Sequence, residues 1–228
     1  AQNAGLHEVP VVIVNADDPH LPAVLKKGCW SHQTTFSLLQ SAHWQAHKRT
    51  QDGSVFDLWY HGQTIGEVTW SLVGDYNLSN ALAAAAAAFD CGVSFEAILT
   101  GLSTFTGVAK RMQCVVENDN IKVHRDFAHH PTAIENVIAA VRSQPDTQRI
   151  IVMLECGSRT MQRHVNVTQL AQALSDADHT CILDTAEMQW PLMDLQPYLG
   201  ERLTIATDMQ SEAVKWAGQL QSGDRVLL

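Results

Sequence analysis

The sequence is most informative first in what it lacks. Its five cysteines, Cys29, Cys91, Cys114, Cys156 and Cys181, are widely spaced, and none forms a Cys-x-x-Cys pair. That pattern argues against a disulfide framework and against a zinc site, and implies mostly buried thiols and no metal site. Basic residues are scarce: 15 Lys and Arg stand against 24 Asp and Glu, a formal charge of -9, with no polybasic run. This excludes a general nucleic-acid or anionic-membrane surface, although a locally basic pocket is compatible with it. The longest apolar stretch, Ala81 to Phe89, falls well short of the roughly 20 residues of a membrane span, and the start has none of the regions of a signal peptide. The cytoplasm is therefore the implied compartment. No Gly-x-x-x-x-Gly-Lys-Ser/Thr phosphate loop occurs anywhere.

What is present suits a globular protein: 46% of the 228 residues are hydrophobic, enough for one large domain or two small ones. Val11-Val12-Ile13-Val14 is a short apolar strand, followed by turn chemistry in Asn15-Ala16-Asp17-Asp18-Pro19. Thr34 to Leu39, Ala42 to Ala46, Val55 to Tyr60 and Ile65 to Val73 alternate between turns at Asp52-Gly53 and His61-Gly62, which predicts an antiparallel meander. Trp30, Trp44, Trp59 and Trp70 lie in or beside these runs and are expected in the core and on sheet faces. After Gly74 the period becomes helical. Leu78, Leu82, Ala85 and Phe89 share a face, Gly92 ends the helix, and Ser94 caps a second one from Phe95 to Leu102.

From Arg111 onward strands and helices alternate. Strands are expected at Gln113 to Glu117 and Ile121 to Phe127 around an Asn118-Asp119-Asn120 turn, then at Ile150 to Leu154, Thr180 to Leu183 and Leu203 to Ala206. Helices are expected over 132–143, around Val167 to Leu174, and after an Asp208 cap. The final run, Arg225 to Leu228, is another strand, and a strand at the very end suggests a piece of a longer protein. Apolar strands alternating with amphipathic helices predict an α/β fold with a mainly parallel sheet covered on both faces. The boundary between the two regions is expected near Gly107 to Lys110.

The candidate chemistry gathers where strands end and helices begin. His124-Arg125-Asp126-Phe127-Ala128-His129-His130-Pro131 joins a strand to a helix, with Pro131 suited to the first helical turn. A helix N-terminus at the carboxyl edge of a sheet offers free N–H groups to an anion. Asp126 could hold ribose hydroxyls or assist a metal ion. His129 and His130 are adjacent and diverge, so a shared metal is not expected. Glu155-Cys156-Gly157-Ser158-Arg159-Thr160 follows the most apolar strand, and Arg159 with Arg163 could bind a carboxylate. Asn77 and Asn80, one helical turn apart, could read a base edge, with Asn77 as a plain N-cap the simpler alternative. Lys110-Arg111 could meet phosphate, or be only a solvated pair.

The order of Gly28-Cys29-Trp30-Ser31, His43-Trp44-Gln45-Ala46, Val68 to Gly74, Asn77 with Asn80, Lys110-Arg111 and Asp126-Phe127-Ala128-His129-His130-Pro131-Thr132-Ala133-Ile134 resembles the Mur ligases through nearly the whole chain. The resemblance implies that residues 1–108 are the latter part of the central ATP-binding domain, strands then helices. Residues 109–228 would be a Rossmann-like C-terminal domain that binds the amino acid or peptide, truncated at its end. It implies ATP and Mg2+ as cofactors, with the N-terminal UDP-binding domain and the phosphate-loop segment missing from this chain. It further implies an amide-bond ligase of peptidoglycan recycling that joins a cell-wall tripeptide to UDP-N-acetylmuramate through an acyl phosphate. The alternatives are an enzyme adding L-alanine to the same sugar, or a non-catalytic nucleotide- or peptide-binding module. By this resemblance Asn77 and Asn80 meet adenine, Lys110 and Arg111 the phosphates, and Asp126 the ribose region, while His129 and His130 line the interdomain cleft. Glu155, Ser158 and Arg159 face the peptide. The chain departs from the family pattern at Tyr76, where His is usual, and at Arg125, where an Asp is usual. It departs again at Cys156, Gly157 and Arg159, in place of Pro, Arg and Asn.

Overall fold

In the computed structural model, which describes residues 10–163 and 167–228, the chain divides into two units, Ala1–Thr106 and Gly107–Leu228. The first contains β1 (Val11–Asn15), α1 (Leu21–Leu25), β2 (His32–Ser37), β3 (Trp44–Lys48), β4 (Val55–Tyr60), β5 (Gln63–Thr69), α2 (Asp75–Asp90) and α3 (Phe95–Thr104). Its sheet runs β1-β2-β3-β4-β5. Only the last part is the expected meander: β3-β4-β5 are antiparallel, whereas β1-β2 and β2-β3 are parallel. Alternation specifies a strand but not its direction. Helix α1 supplies the crossover between β1 and β2, and β3 begins beside the end of β2, pairing only Phe36 with Trp44 and Ser37 with Gln45, so a short link suffices.

Helices α2 and α3 cover one face of this sheet, where Trp44, Phe56, Leu58, Val68, Leu78 and Leu82 form the core. Helix α3 packs closely over Gly66, where a Cβ would lie 2.6 Å from Leu99 Cδ1 and would make that side chain shift. The opposite face is polar, with Arg49 paired to Asp57 and His47 stacked on Trp59. Trp44 and Trp70 are buried as expected, but Trp30 is 92% exposed. It sits in the coil between α1 and β2, outside any sheet face. The cysteine expectation also needs correction: Cys156 and Cys181 are buried, Cys29 is half-buried, and Cys91 and Cys114 are exposed. Sparse spacing shows that cysteines are unpaired and carries no information about depth.

The second unit comprises β6 (Gln113–Asn118), β7 (Ile121–Arg125), α4 (Pro131–Arg142), β8 (Ile150–Glu155), α5 (Arg159–Gln162), α6 (Val167–Ala173), β9 (His179–Leu183), α7 (Gln196–Leu199), β10 (Leu203–Ala206), α8 (Met209–Ala217) and β11 (Arg225–Leu227). Its sheet order is β10-β9-β8-β11-β7-β6, parallel except for β6 at the edge. Asp119 and Asn120 both take positive φ, 48° and 62°, as a two-residue hairpin between β6 and β7 requires. The terminal strand β11 is central, inserted between β7 and β8. Arg225, 2% exposed, donates to Asn120 O at 2.7 Å and so ties that strand to the hairpin.

Strand β8 shows why this sheet is covered twice. Ile150, Val152 and Leu154 pack with α4 and α6, while Ile151 and Met153 pack with α8. Helix α4 buries Ile134, Val137, Ile138 and Val141, each contributing about 1.5–3 kcal/mol through removal from water. The strand expected to reach Phe127 ends at Arg125, which frees Asp126 to His130 to form the loop at the sheet's carboxyl edge. Among the described residues no helix is long and apolar enough to cross a membrane.

Candidate functional site

That carboxyl edge opens into a cavity of about 750 Å³, formed wholly within the second unit. Its floor is apolar, from Ile134, Val137, Leu154 and Leu183, and its rim carries Lys110, Arg125, Asp126, His129, Glu155 and Ser158. Each rim residue arrives by a different local device. Asp126 follows β7 directly, and its Oδ2 accepts from the Met112 amide at 2.7 Å. Met112 and Lys110 both hold left-handed backbone, φ 47° and 60°, a costly conformation for side chains with a Cβ. The Lys110 amide donates to Gln113 Oε1 at 3.1 Å, so the Lys110–Met112 turn is pinned at both ends by side chains.

The loop from Phe127 to His130 is fixed by its own histidines. His129 Nδ1 lies 2.8 Å from the Phe127 carbonyl, which can only accept, so Nδ1 carries the proton and Nε2 is left as the ring's free acceptor. His130 is the N-cap of α4: its Nδ1 accepts from the Thr132 amide at 3.3 Å, and Pro131 takes the first helical position as expected. Ser158 caps α5 by accepting from the Met161 amide at 3.2 Å, and its Oγ donates to the His129 carbonyl at 3.2 Å. The loops after β7 and β8 are thereby joined across the mouth of the cavity. Cys156, on the second loop, is not a nucleophile: burial, with the Glu155 carboxylate beside it, pushes its thiol up to about 11.

The cavity thus brings together Lys110, Asp126, His129, Glu155 and Ser158 from the sequence-based set, and Arg111, His130 and Arg159 do not line it. Arg111 is exposed, and its amide closes a turn onto Val108 O. Asn77 and Asn80 belong to the first unit. Asn77 is not the N-cap of α2, a position held by Gly74; its Nδ2 donates to Val73 O at 2.8 Å, and Asn80 is exposed. Sequence reading missed the contribution of α8, whose first turn supplies Met209 and Gln210 to the wall. Asp208, the N-cap of that helix, accepting from Gln210, was the available signal, since it places a helix start after β10 at the same sheet edge.

Comparison with known proteins adds a second line of evidence. A family model described as Mur ligase, glutamate ligase domain, matches residues 110–228, and one described as Mur ligase middle domain matches residues 3–88. The UDP-N-acetylmuramate–L-alanyl-gamma-D-glutamyl-meso-2,6-diaminoheptandioate ligase of Escherichia coli (strain K12) is 34% identical over 95% of this chain and 47% of its own length. Its counterpart from Haemophilus influenzae is 34% identical over 81% of this chain and 41% of its own. The solved structure of a murein peptide ligase from Psychrobacter arcticus 273-4 superposes with a TM-score of 0.68 at 30% identity, covering 96% of this chain and 48% of that one. The chain therefore spans somewhat under half the length of these relatives.

Proposed function

Because this chain belongs to the Mur ligase family, we propose that it is part of an ATP-dependent ligase of peptidoglycan recycling, joining a cell-wall tripeptide to the carboxylate of UDP-N-acetylmuramate. In this reading residues 1–108 belong to the ATP-binding domain and residues 109–228 to the domain that receives the peptide. The observation that carries it is the cavity at the carboxyl edge of the second sheet, whose cationic and anionic rim stands over an apolar floor.

ATP would supply the phosphoryl group that turns the muramate carboxylate into an acyl phosphate. The part of this chain is positioning and charge neutralisation. Lys110 supplies a cation at the rim, Arg111 a second in solvent, and Asn77 and Asn80 amides for a base edge. Asp126 Oδ1 is the oxygen left to accept from a ribose hydroxyl once Oδ2 is taken by Met112. His129 Nε2 accepts at the rim, and His130 orders the loop through its cap. Glu155 faces the incoming peptide, Ser158 fixes the loop that carries it, and Arg159 follows on the same loop.

Magnesium fits this chain only in part. Among the described residues no group of three or more His, Cys, Asp or Glu could hold a metal ion. Magnesium ordinarily travels with nucleotide phosphates and one or two carboxylates, so a complete cage is not required here.

The test is phosphate release by the full-length protein containing this chain. UDP-N-acetylmuramate, ATP and the diaminoheptanedioate tripeptide should together give phosphate and the amide product. Release with L-alanine in place of the tripeptide would favour the alanine-adding alternative, and release with neither would reject ligation.

A further inference from the structure

Among the described residues six that are not glycine take positive φ, and they divide by type. His61, Asp119, Asn120 and Asp146 are of the kinds most often found with left-handed backbone, whereas Lys110 and Met112 are not. Those two flank Arg111, whose amide closes a four-residue turn onto Val108 O at 3.1 Å. Lys110 takes the third place of that turn, at φ 60°, where glycine or asparagine is usual. Strain of this kind persists only where the surroundings hold it. Gln113, the first residue of β6, accepts from the Lys110 amide through Oε1 at 3.1 Å, and Asp126, next after β7, accepts from the Met112 amide at 2.7 Å. Gln113 is paired with Arg125 across the β6–β7 ladder, so both acceptors stand at the same end of one hairpin. Asp126 is fixed in turn, because its own amide donates to Leu228 O at 2.9 Å. A lysine kept where asparagine would be unstrained argues that its side chain is used there.

We propose that Gln113 is a positioning residue: by holding the Lys110 amide it sets the turn that presents Lys110 and Arg111 to the terminal phosphate of the nucleotide. This assignment rests on the reading of those two cations as phosphate contacts. Gln113 does not line the cavity, so its effect passes through the backbone of Lys110, which does. A long cationic side chain on a turn that is not held would sample many positions. Neutralising the charge on a phosphoryl group depends on placement, so the turn matters as much as the charge.

Calorimetry with ATP and ADP on the full-length protein containing this chain reads the terminal phosphate directly. Gln113→Leu should lower the ratio of ATP to ADP affinity about fivefold, within the range of one net hydrogen bond, and leave ADP affinity within about twofold. Gln113→Glu keeps an acceptor in reach of the amide and should hold the ratio within about twofold. Lys110→Asn should lower the ratio at least as far as Gln113→Leu, yet melt no lower than the unaltered protein, because asparagine accepts the left-handed backbone. Amide exchange at Lys110 should quicken in Gln113→Leu and not in Gln113→Glu. A Gln113→Leu protein that melts lower but keeps its ATP to ADP ratio would overturn the proposal and leave Gln113 a structural residue. So would an undiminished ratio in Lys110→Asn, or a Gln113→Glu protein as defective as Gln113→Leu. If the ratio responds as described yet the protein forms no amide bond, the ligase reading fails and the positioning role stands. If the protein ligates and the ratio ignores Gln113→Leu, the reverse holds. No ATP binding by the unaltered protein would reject both.

Discussion

The two sheets of this chain are built on opposite plans. In the first unit β4 alternates half-buried and buried residues, and α2 and α3 cover only one face. In the second unit β8 is buried from Ile150 to Leu154, because α4 and α6 pack on one face and α8 on the other. A sheet covered twice has both faces occupied by packing, so the place left for polar side chains is the edge where strands stop. That is where Asp126, His129 and Glu155 stand. The one-sided sheet instead has room for polar residues on its open face, and spends it on an ion pair and a stacked histidine.

The sharpest way to break this comparison is to reverse the polarity of one residue on the second face of each sheet. Ile151, 1% exposed among the residues under α8, should not tolerate Asp. Ile151→Asp is expected to cost roughly 3–5 kcal/mol in urea denaturation, because the carboxylate has no partner there. On β5 the outward Glu67 is exposed, and Glu67→Val should shift stability by no more than about 0.5 kcal/mol. Equal effects would mean that the first sheet is covered on both sides as well.

Next in size is the clamp at the edge. Asp126→Ala removes the acceptor of the Met112 amide, and should cost about 1–3 kcal/mol. Amide exchange at Met112 should rise with it, while that of the buried Leu82 in α2 stays unchanged. Slow exchange at Met112 in the variant would show that the turn holds without its clamp.

A third expectation concerns pH. His124, on β7, is 5% exposed, and neither ring nitrogen has a partner within hydrogen-bond geometry. Burial lowers its pKa from 6.5, a shift that Lys122 and Arg225 reinforce and that the Met112 backbone and Glu117 oppose. The unfolded chain thus takes up a proton before the folded one does. Stability is complete above pH 6.5 and falls as the pH drops from there toward the folded value. His43 and His179 are also lowered by burial, so the whole chain should share the trend. His124→Leu should flatten the part of the slope seen in the second unit and leave that of the first. An unchanged slope there would assign the effect to His179.

The smallest effects belong to the caps. Ser94→Ala, at the start of α3, should cost about 1 kcal/mol. His130→Ala should cost less, since Pro131 already sets the first turn of α4. A larger loss at His130 would give that histidine a further partner.

Much of this architecture was readable from residue order. The helical periods of Leu78 to Phe89 and Ile134 to Val141, the Ser94 and Asp208 caps, the Pro131 start and the Asp119-Asn120 turn all appear where local chemistry put them. Strand direction in the first sheet was not readable, because alternation is the same for parallel and antiparallel neighbours. Nor was the exposure of Trp30, since hydrophobicity records what a side chain favours and not whether a sheet face lies within its reach. The candidate site was legible as pieces. Lys110, Asp126, His129, Glu155 and Ser158 meet at one cavity, and Arg111, His130 and Arg159 lie beside it.

The sequence by itself determined the elements, their caps, the change from alternating to helical periods and the family resemblance, because each rests on residues within a turn or two of one another. The tertiary structure alone decided that β11 lies between β7 and β8, that Asp126 clamps Met112, and that Lys110, Asp126 and Glu155 reach one cavity. Those facts depend on which distant segments pair. Pairing is set by the burial of whole sheet faces, a property that no local stretch of sequence contains.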